Sequence, residues 1–393
     1  MNRIDRRPLI AVIWVLILVL ILALLLTSCA STGIRTTNFK QWDIHTEAQA
    51  SYLADEDYTK PHLYGAKGAG EMSKPVSPLF EWSYTASALE TGIASSVLLI
   101  SENEDMEGAR EYDVPAGETS FSVPDGAMNL KTGTRYYWTV RATLTDGSVM
   151  ESKPSRFTTV EGIRNLSVEG VTNFRDMGGA HTTDGGTVRQ GLLYRSGRFN
   201  EKYSKDLMIT EAGLEQVKML GIKTDIDLRG DKEYFDSVAY YPNGYPVEGS
   251  ETMVSPLGED VNYVLIPRIW DNSMMVAPAG SSMMKEIFDV LCDESNYPIV
   301  FHCSIGTDRT GMAAFLINCV LRLSDEDIIR DYLFSNFGDI GSPRLLANFQ
   351  TATRYIKNDF EGETYSEKGI NYLLKAGVTP EQMEKLRSIL VEY

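Results

Sequence analysis

The sequence predicts a chain in two folded parts, a small β-sandwich followed by an α/β domain whose central sheet is flanked by helices. Three observations carry that expectation. Between Ser77 and about Glu161, apolar and polar residues alternate in short runs separated by turn residues, the pattern of half-buried strands. From about Gly162 to Tyr393 the pattern changes to alternating helices and buried strands. Within that second part, Pro298-Ile299-Val300-Phe301-His302 is an apolar, β-rich run, and an apolar helix over Thr310 to Leu321 follows it after one short loop. A chain of 393 residues suits two domains better than one core.

The N-terminus reads as an address. Arg3, Arg6 and Arg7 precede an unbroken apolar run from Leu9 to Leu26, just long enough to span a bilayer, which takes roughly 20 residues. Leu26-Thr27-Ser28-Cys29-Ala30 resembles a bacterial lipobox, which implies cleavage before Cys29 and a lipid on that cysteine. The alternative is an uncleaved signal anchor. Either reading places the rest of the chain outside the cytoplasmic membrane. Residues 29–76 read as a linker: polar, mixed, with a glycine-rich run from Gly65 to Gly70 and Pro75 close behind.

In the sandwich region, 77–161, the expected strands are Leu79–Tyr84, Ser96–Ile100, Thr119–Val123, Arg135–Ala142 and Arg156–Val160. Leu130 to Trp138 resembles the tyrosine-corner segment of fibronectin type III domains, whose tyrosine packs its ring in the core, so the aromatics there, with Trp82, read as core rather than as a ligand platform. Such a module serves as a spacer or as a surface for a protein or glycan ligand.

In the α/β region, 162–393, Thr210 caps a helix over Glu211–Leu220 that Gly221 ends, and a strand over Ile222–Leu228 follows. Val261–Ile266 reads as a strand and Met283–Leu291 as a helix. Ser324 precedes a helix over Asp325–Phe334. Thr379-Pro380-Glu381-Gln382, a capping box with proline at the first helical position, opens the last helix. The methionines at 274–275 and 283–284, around Ala279-Gly280-Ser281-Ser282, suggest a flexible apolar lid.

Cys303 carries the chemistry. It stands between the strand ending at His302 and the helix beginning at Thr310, in His302-Cys303-Ser304-Ile305-Gly306-Thr307-Asp308-Arg309-Thr310-Gly311. A loop entering a helix N-terminus turns unpaired N–H groups inward, and the helix dipole adds positive potential, so a phosphate fits there. Gly306 allows the tight turn, and Arg309 offers a planar fork to two phosphate oxygens. The same field favours the Cys303 thiolate, which attacks phosphorus to give a cysteinyl-phosphate that water hydrolyses. Thr310 is placed to hydrogen-bond the sulfur as it leaves, and His302 to order the loop.

His302 to Gly311 is similar to the signature of the protein tyrosine phosphatase superfamily. Its Asp308-Arg309-Thr310-Gly311 ending resembles a bacterial branch that acts on phosphotyrosine and, in some members, on phosphoinositides. Asn173-Phe174-Arg175-Asp176-Met177-Gly178-Gly179 resembles that branch's opening motif. Leu193 to Gly197, Asp225 to Arg229 and Asp331-Tyr332-Leu333 match later blocks in order. The resemblance spans about Val168 to the end and implies a tyrosine phosphatase-like domain. Its expected phosphate-binding set is Ser304, Ile305, Gly306, Thr307 and Gly311, with Arg175 from the opening motif. Arg175, Arg195 and Arg229 carry two readings, pocket lining or bracing. Thr307 departs from the branch, which usually has lysine there, and its missing charge weakens the case for multiply phosphorylated substrates.

The resemblance points to Asp308 as the acid that protonates the leaving oxygen. Asp271, after Trp270, and Asp227 are the alternatives, Asp227 reading rather as a group that orients Arg309 or caps the sheet. No His-rich or carboxylate cluster suggests a metal, and the chemistry needs no cofactor. With 37 Lys and Arg against 54 Asp and Glu, a net charge of −17 excludes general affinity for nucleic acid. Anionic substrates must therefore be drawn in by local positive groups. Four cysteines in this length form no disulfide framework, but Cys292 and Cys319 are candidates to bridge Cys303 on oxidation. A phosphotyrosine or dual-specificity phosphatase, a phosphatase for lipid headgroups or small esters, and a catalytically silent binding lipoprotein are the functions in view. The intact Cys303, Arg309 and Thr310 speak against the last.

Overall fold

The computed structural model describes residues 33–124, 126, 128–200, 207–229, 245–246, 253–267, 275 and 279–393. The expected signal with Cys29, Trp270-Asp271 and Met274 of the expected lid lie outside them. Two units result. One gathers the described residues up to Phe39 with Leu79–Phe121 and Tyr136–Phe157; the other holds Lys40–Pro78, Ser122–Arg135 and Thr158–Tyr393. No helix among the described residues is long and apolar enough to cross a membrane.

The first unit is built from β1 (Ile34–Thr36), β2 (Leu79–Tyr84), β3 (Ile93–Ser101), β4 (Arg110–Val114), β5 (Ser120–Ser122), β6 (Arg135–Leu144), β7 (Val149–Glu151) and β8 (Ser155–Thr159). One sheet runs β1-β2-β5; the other runs β8-β6-β3-β4, with β7 paired to β6. Strand β2 shows the physical cause: Phe80, Trp82 and Tyr84 are buried while Leu79, Glu81 and Ser83 are exposed, the period of a half-buried strand. The Phe80 ring lies 5.1 Å from Trp138 and 5.9 Å from Phe157, on which Tyr136 stacks at 5.5 Å. These aromatics are core.

The second unit contains α1 (Glu47–Ala54), α2 (Glu211–Leu220), α3 (Ala279–Leu291), α4 (Arg309–Val320), α5 (Asp325–Phe334), α6 (Leu346–Asp359), α7 (Tyr365–Lys375) and α8 (Pro380–Leu390). Its five-stranded sheet uses β9 (Arg175–Asp176), β10 (Leu193–Ser196), β11 (Thr224–Asp227), β12 (Asn262–Leu265) and β13 (Ile299–His302), in the order β9-β10-β13-β11-β12. All but β9 are parallel. The register sets Ser196 and Asp227 beside His302, so three strands end together where Cys303 begins its loop. In open parallel sheets this carboxyl end is where ligands bind. Helix α4 leaves the loop straight into the core, with every residue from Thr310 to Val320 buried.

Two expectations about architecture change. The predicted linker is structured from Gly33 on. Thr46 and Gln49 form a capping box that starts α1, and Tyr52 on that helix is fully buried with Phe334 and Phe337. Arg330 donates to the Tyr52 carbonyl at 2.8 Å and the Asp55 carbonyl at 3.1 Å, and its guanidinium faces the Tyr52 and Tyr58 rings. Gly68 serves close approach: φ is +65°, and a Cβ there would stand 2.8 Å from the Ser342 carbonyl oxygen. The predicted lid is also different. Met283 and Met284 sit on α3 with no exposed surface, in the core with Met275. Burying apolar side chains at helical spacing fixes α3 against α7 and α8, so Met275, Met283 and Met284 are core and not a lid.

Candidate active site

Cys303 sits at the mouth of α4 and is 1% exposed. Burial opposes its ionisation, but the Arg309 charge, the Thr310 hydroxyl and the backbone N–H groups of Thr310 and Ile305 outweigh it. The thiol is held below its ordinary range. Nothing in the loop's shape is left to chance. Gly306 adopts φ +71°, and a Cβ on it would stand 2.5 Å from both the carbonyl carbon and oxygen of Ser196, so only glycine seats the loop on the end of β10. Arg309 spans the loop: Nη1 donates to the Leu228 carbonyl at 3.3 Å and Nη2 to Ser304 Oγ at 3.3 Å.

The motifs upstream form the brace. Asn173 donates through Nδ2 to the Ile305 carbonyl at 3.0 Å and to Thr307 Oγ1 at 3.2 Å. Arg195, fully buried, donates to the Gly306 carbonyl at 2.8 Å and to Asp331. Burial and the neighbouring Arg175 bring the Arg195 pKa down to about 10. Asp331 accepts from Arg195 and, at 2.9 Å, from Arg175 Nε; burial opposes its charge, but the two arginines hold its carboxyl below the usual range.

Arg175 therefore departs from its expected role. Its Nη groups go to Asn173, the Asp331 carbonyl and Ser335, and it is fully buried, leaving no face for a substrate. Thr307 is likewise fully buried, its hydroxyl tied to Asn173 and the Ile305 carbonyl, so position 307 braces the loop from within. Gly311 serves packing: a Cβ there would lie 3.0 Å from the Tyr332 ring. Ser304, Ile305 and Gly306 remain of the expected phosphate-binding set.

His302 is fully buried. Its Nε2 stands 3.0 Å from Asp225 and 3.7 Å from Asp227, and Nδ1 lies 3.4 Å from the Cys303 carbonyl. Burial works against its charge, yet the two carboxylates raise its pKa above the ordinary histidine value. It orders the start of the loop. Asp227 is taken up by Arg229, which donates to both its oxygens, and by the Tyr263 hydroxyl at 3.1 Å. It orients Arg229, not Arg309. Burial opposes Asp227's charge, but Arg229 and His302 keep its carboxyl below the usual range, so it has no proton to donate near neutrality.

Asp308 stands beside Arg309 and is engaged by a residue that the sequence reading missed. Arg344 donates from Nε to Oδ1 and from Nη2 to Oδ2, both at 2.8 Å, a bidentate pair. In this arrangement both Asp308 oxygens are taken up as acceptors. Arg344 is itself fixed: its backbone exchanges hydrogen bonds with the Asn336 side chain at 2.7 and 2.8 Å, and Nη1 donates to Ser342. No motif surrounds Arg344, and the signal that finds it is tertiary.

The other described cysteines have partners of their own. Cys319 lies ten residues along α4 from Arg309, about 15 Å by helical rise, and its thiol donates to the Tyr365 carbonyl. Cys292, Cys303 and Cys319 are all free thiols. Cys292 donates to the Gln382 carbonyl. Among the described residues, no group of three or more His, Cys, Asp or Glu side chains could hold a metal ion.

Comparison with known proteins agrees with this geometry. The family model described as the tyrosine phosphatase family matches residues 166–392. A second, described as the N-terminal immunoglobulin domain of Rha78A-like proteins, matches residues 73–161. The sandwich is thus immunoglobulin-like where the tyrosine-corner segment suggested fibronectin type III, two domain types that share one architecture. A Cupriavidus necator protein provisionally named a tyrosine-protein phosphatase is 27% identical over 209 residues, covering 51% of this chain and 73% of the relative. The core catalytic domain of the PP-IP phosphatase Siw14 from S. cerevisiae, crystallised with citrate, is 15% identical and covers 42% of this chain and 85% of its own, with a TM-score of 0.26. A likeness of that size fixes no feature of this chain.

Proposed function

The chain belongs to the tyrosine phosphatase family, and we propose that it hydrolyses phosphotyrosine in proteins through a cysteinyl-phosphate on Cys303. The observation that carries the proposal is the Cys303 thiol, buried yet held below its ordinary pKa by Arg309, Thr310 and loop N–H groups. The phosphoryl group enters the loop and takes hydrogen bonds from its N–H groups and from Arg309. The sulfur attacks phosphorus as the bond to the aryl oxygen breaks. Water then displaces the sulfur, and the Thr310 hydroxyl supports the departing thiolate. The buried network beneath the loop holds this arrangement before substrate arrives, so little reorganisation is needed on binding.

A second reading keeps the chemistry and takes a phosphoinositide or small phosphate ester as substrate. Arg344 stands beside the loop, but its charge is met by Asp308, so in this arrangement it does not replace the lysine that Thr307 lacks. Phosphate release from phosphotyrosine peptides and phosphoinositides, side by side with Cys303→Ser as control, separates the two. Faster turnover of the lipid would replace the first reading by the second. Turnover of neither, nor of an aryl phosphate under reducing conditions, would overturn both and favour a binding lipoprotein.

For location we propose lipid attachment at Cys29 and an extracytoplasmic, membrane-anchored chain, on the basic start, the apolar run to Leu26 and the lipobox-like Leu26–Ala30. Mass spectrometry of the mature N-terminus tests it. A diacylated Cys29 supports the proposal, and an intact Met1 ends it.

A further inference from the structure

Asp308 is the residue the loop motif offers as acid, yet both its oxygens accept hydrogen bonds from Arg344. The two facts fit if the closed pair is one station of the catalytic cycle. We propose that Arg344 is a positioning residue that catches the Asp308 carboxylate once its proton has gone to the leaving oxygen, and releases it for the return proton.

The geometry supports a built catch. Nε and Nη2 of Arg344 meet the two oxygens of Asp308 at equal 2.8 Å distances, and Nη1 is held by the carbonyl and hydroxyl of Ser342. The backbone at 344 is clamped in both directions by Asn336, which is 1% exposed. The chain around Ser342 in turn rests on Gly68, whose lack of a side chain permits the approach. The two side chains are 16% and 11% exposed, so the pair sits at the edge of solvent, partly screened. Among the described residues, Tyr332 from α5 and Arg344 from the segment before α6 act on Asp308, with Arg309 its chain neighbour at the start of α4, while Cys303 acts on Arg344.

The step balances without a co-reactant. As the sulfur–phosphorus bond forms and the phosphorus–oxygen bond breaks, the Asp308 carboxyl proton passes to the leaving oxygen, and Arg344 closes on the resulting carboxylate. In the second half, water attacks phosphorus, the sulfur leaves as thiolate, and the water's proton returns to Asp308 as Arg344 lets go. A bidentate guanidinium is suited to this, since it recognises the ionised form and not the protonated one.

This inference rests on the phosphatase reading, and its test separates the two. Wild type, Arg344→Met, Arg344→Lys and Arg344→Met/Asp308→Asn are compared in the full chain with a good-leaving-group aryl phosphate and a poor-leaving-group alkyl phosphate across pH. Losing the cation should move the basic limb for the poor leaving group upward by about one unit, with lysine intermediate and the good leaving group nearly unaffected. No shift should appear in the Asp308→Asn background. A limb that does not move in Arg344→Met, or moves equally without Asp308, overturns the proposal. Carbon-13 titration of the Asp308 carboxyl in wild type and Arg344→Lys decides the same point even if no substrate turns over: a midpoint that rises in the variant supports the catch, and an unchanged midpoint refutes it.

Discussion

Asp331→Asn is the perturbation that most severely tests the bracing network. Asp331 is the shared counter-charge of Arg175 and Arg195, both without exposed surface, and it accepts from Arg175 Nε at 2.9 Å and from Arg195 Nη1. An asparagine of the same shape keeps one acceptor oxygen and removes the charge, leaving two buried guanidinium groups facing each other. Breaking a buried pair in this way costs about 3–5 kcal/mol. Typical domains have only about 5–15 kcal/mol in total, so the unit stays folded with most of its margin gone. The same change reaches the phosphate loop by two routes, through Arg195 to the Gly306 carbonyl and through Arg175 and Asn173 to the Ile305 carbonyl. A loop displaced by an ångström costs about a hundredfold in kcat/KM. Urea unfolding followed by far-UV circular dichroism gives the stability, and initial rates on an aryl phosphate give the activity. Asp339→Asn, at an exposed position nearby in sequence, serves as the control expected within about 0.5 kcal/mol of wild type. If Asp331→Asn loses less than about 1 kcal/mol and keeps its rate, the network is not what holds the loop, since a broken buried pair must cost more.

Three further outcomes follow from the loop itself. Gly306→Ala forces an alanine to φ +71° and sets its Cβ 2.5 Å from the Ser196 carbonyl, so stability drops by at least about 1–2 kcal/mol and activity is lost; a thermal melt and a rate assay check both. Thr310→Ala removes the hydroxyl that stabilises the Cys303 thiolate. Release of phosphate then slows more than release of phenol, and stopped-flow shows a burst that wild type lacks or shows more weakly. Because the Cys303 thiol titrates below its ordinary value, thiolate and hence iodoacetamide reactivity persist as pH falls under that value, while Arg309→Gln moves the alkylation midpoint upward.

The loop was legible because its determinants are local. An apolar strand, one glycine at a fixed offset and an apolar helix lie within about twenty consecutive residues, and the observed elements Ile299–His302 and Arg309–Val320 fall within a residue of the expected ones. What escaped depends on distant chain. Arg344 reaches Asp308 across 36 positions, and nothing near Arg344 distinguishes it from an ordinary surface arginine until the segment docks on Asn336. Arg175 was assigned to substrate because an arginine in a motif shows its charge but not its partner, and Asp331 is 156 positions away. Gly65 to Gly70 reads as a tether by composition, which does not separate a glycine kept for flexibility from one kept for close approach, as Gly68 is. Helix α6 went unread although Phe349, Ala352, Thr353 and Ile356 repeat at helical spacing, because polar residues fill the rest of its surface. Met283 and Met284 misled in the other direction: methionine suits a lid and a core equally, and only burial decides.

The central claim is that Cys303 carries the phosphoryl group. Rapid acid quench of the full chain during turnover of an aryl phosphate, followed by mass spectrometry of the peptide containing Cys303, tests it most directly. The account predicts a phosphoryl adduct on Cys303, more abundant in Thr310→Ala and absent from Cys303→Ser, which also loses turnover. Turnover that continues in Cys303→Ser, with no adduct on the wild-type peptide, would contradict it.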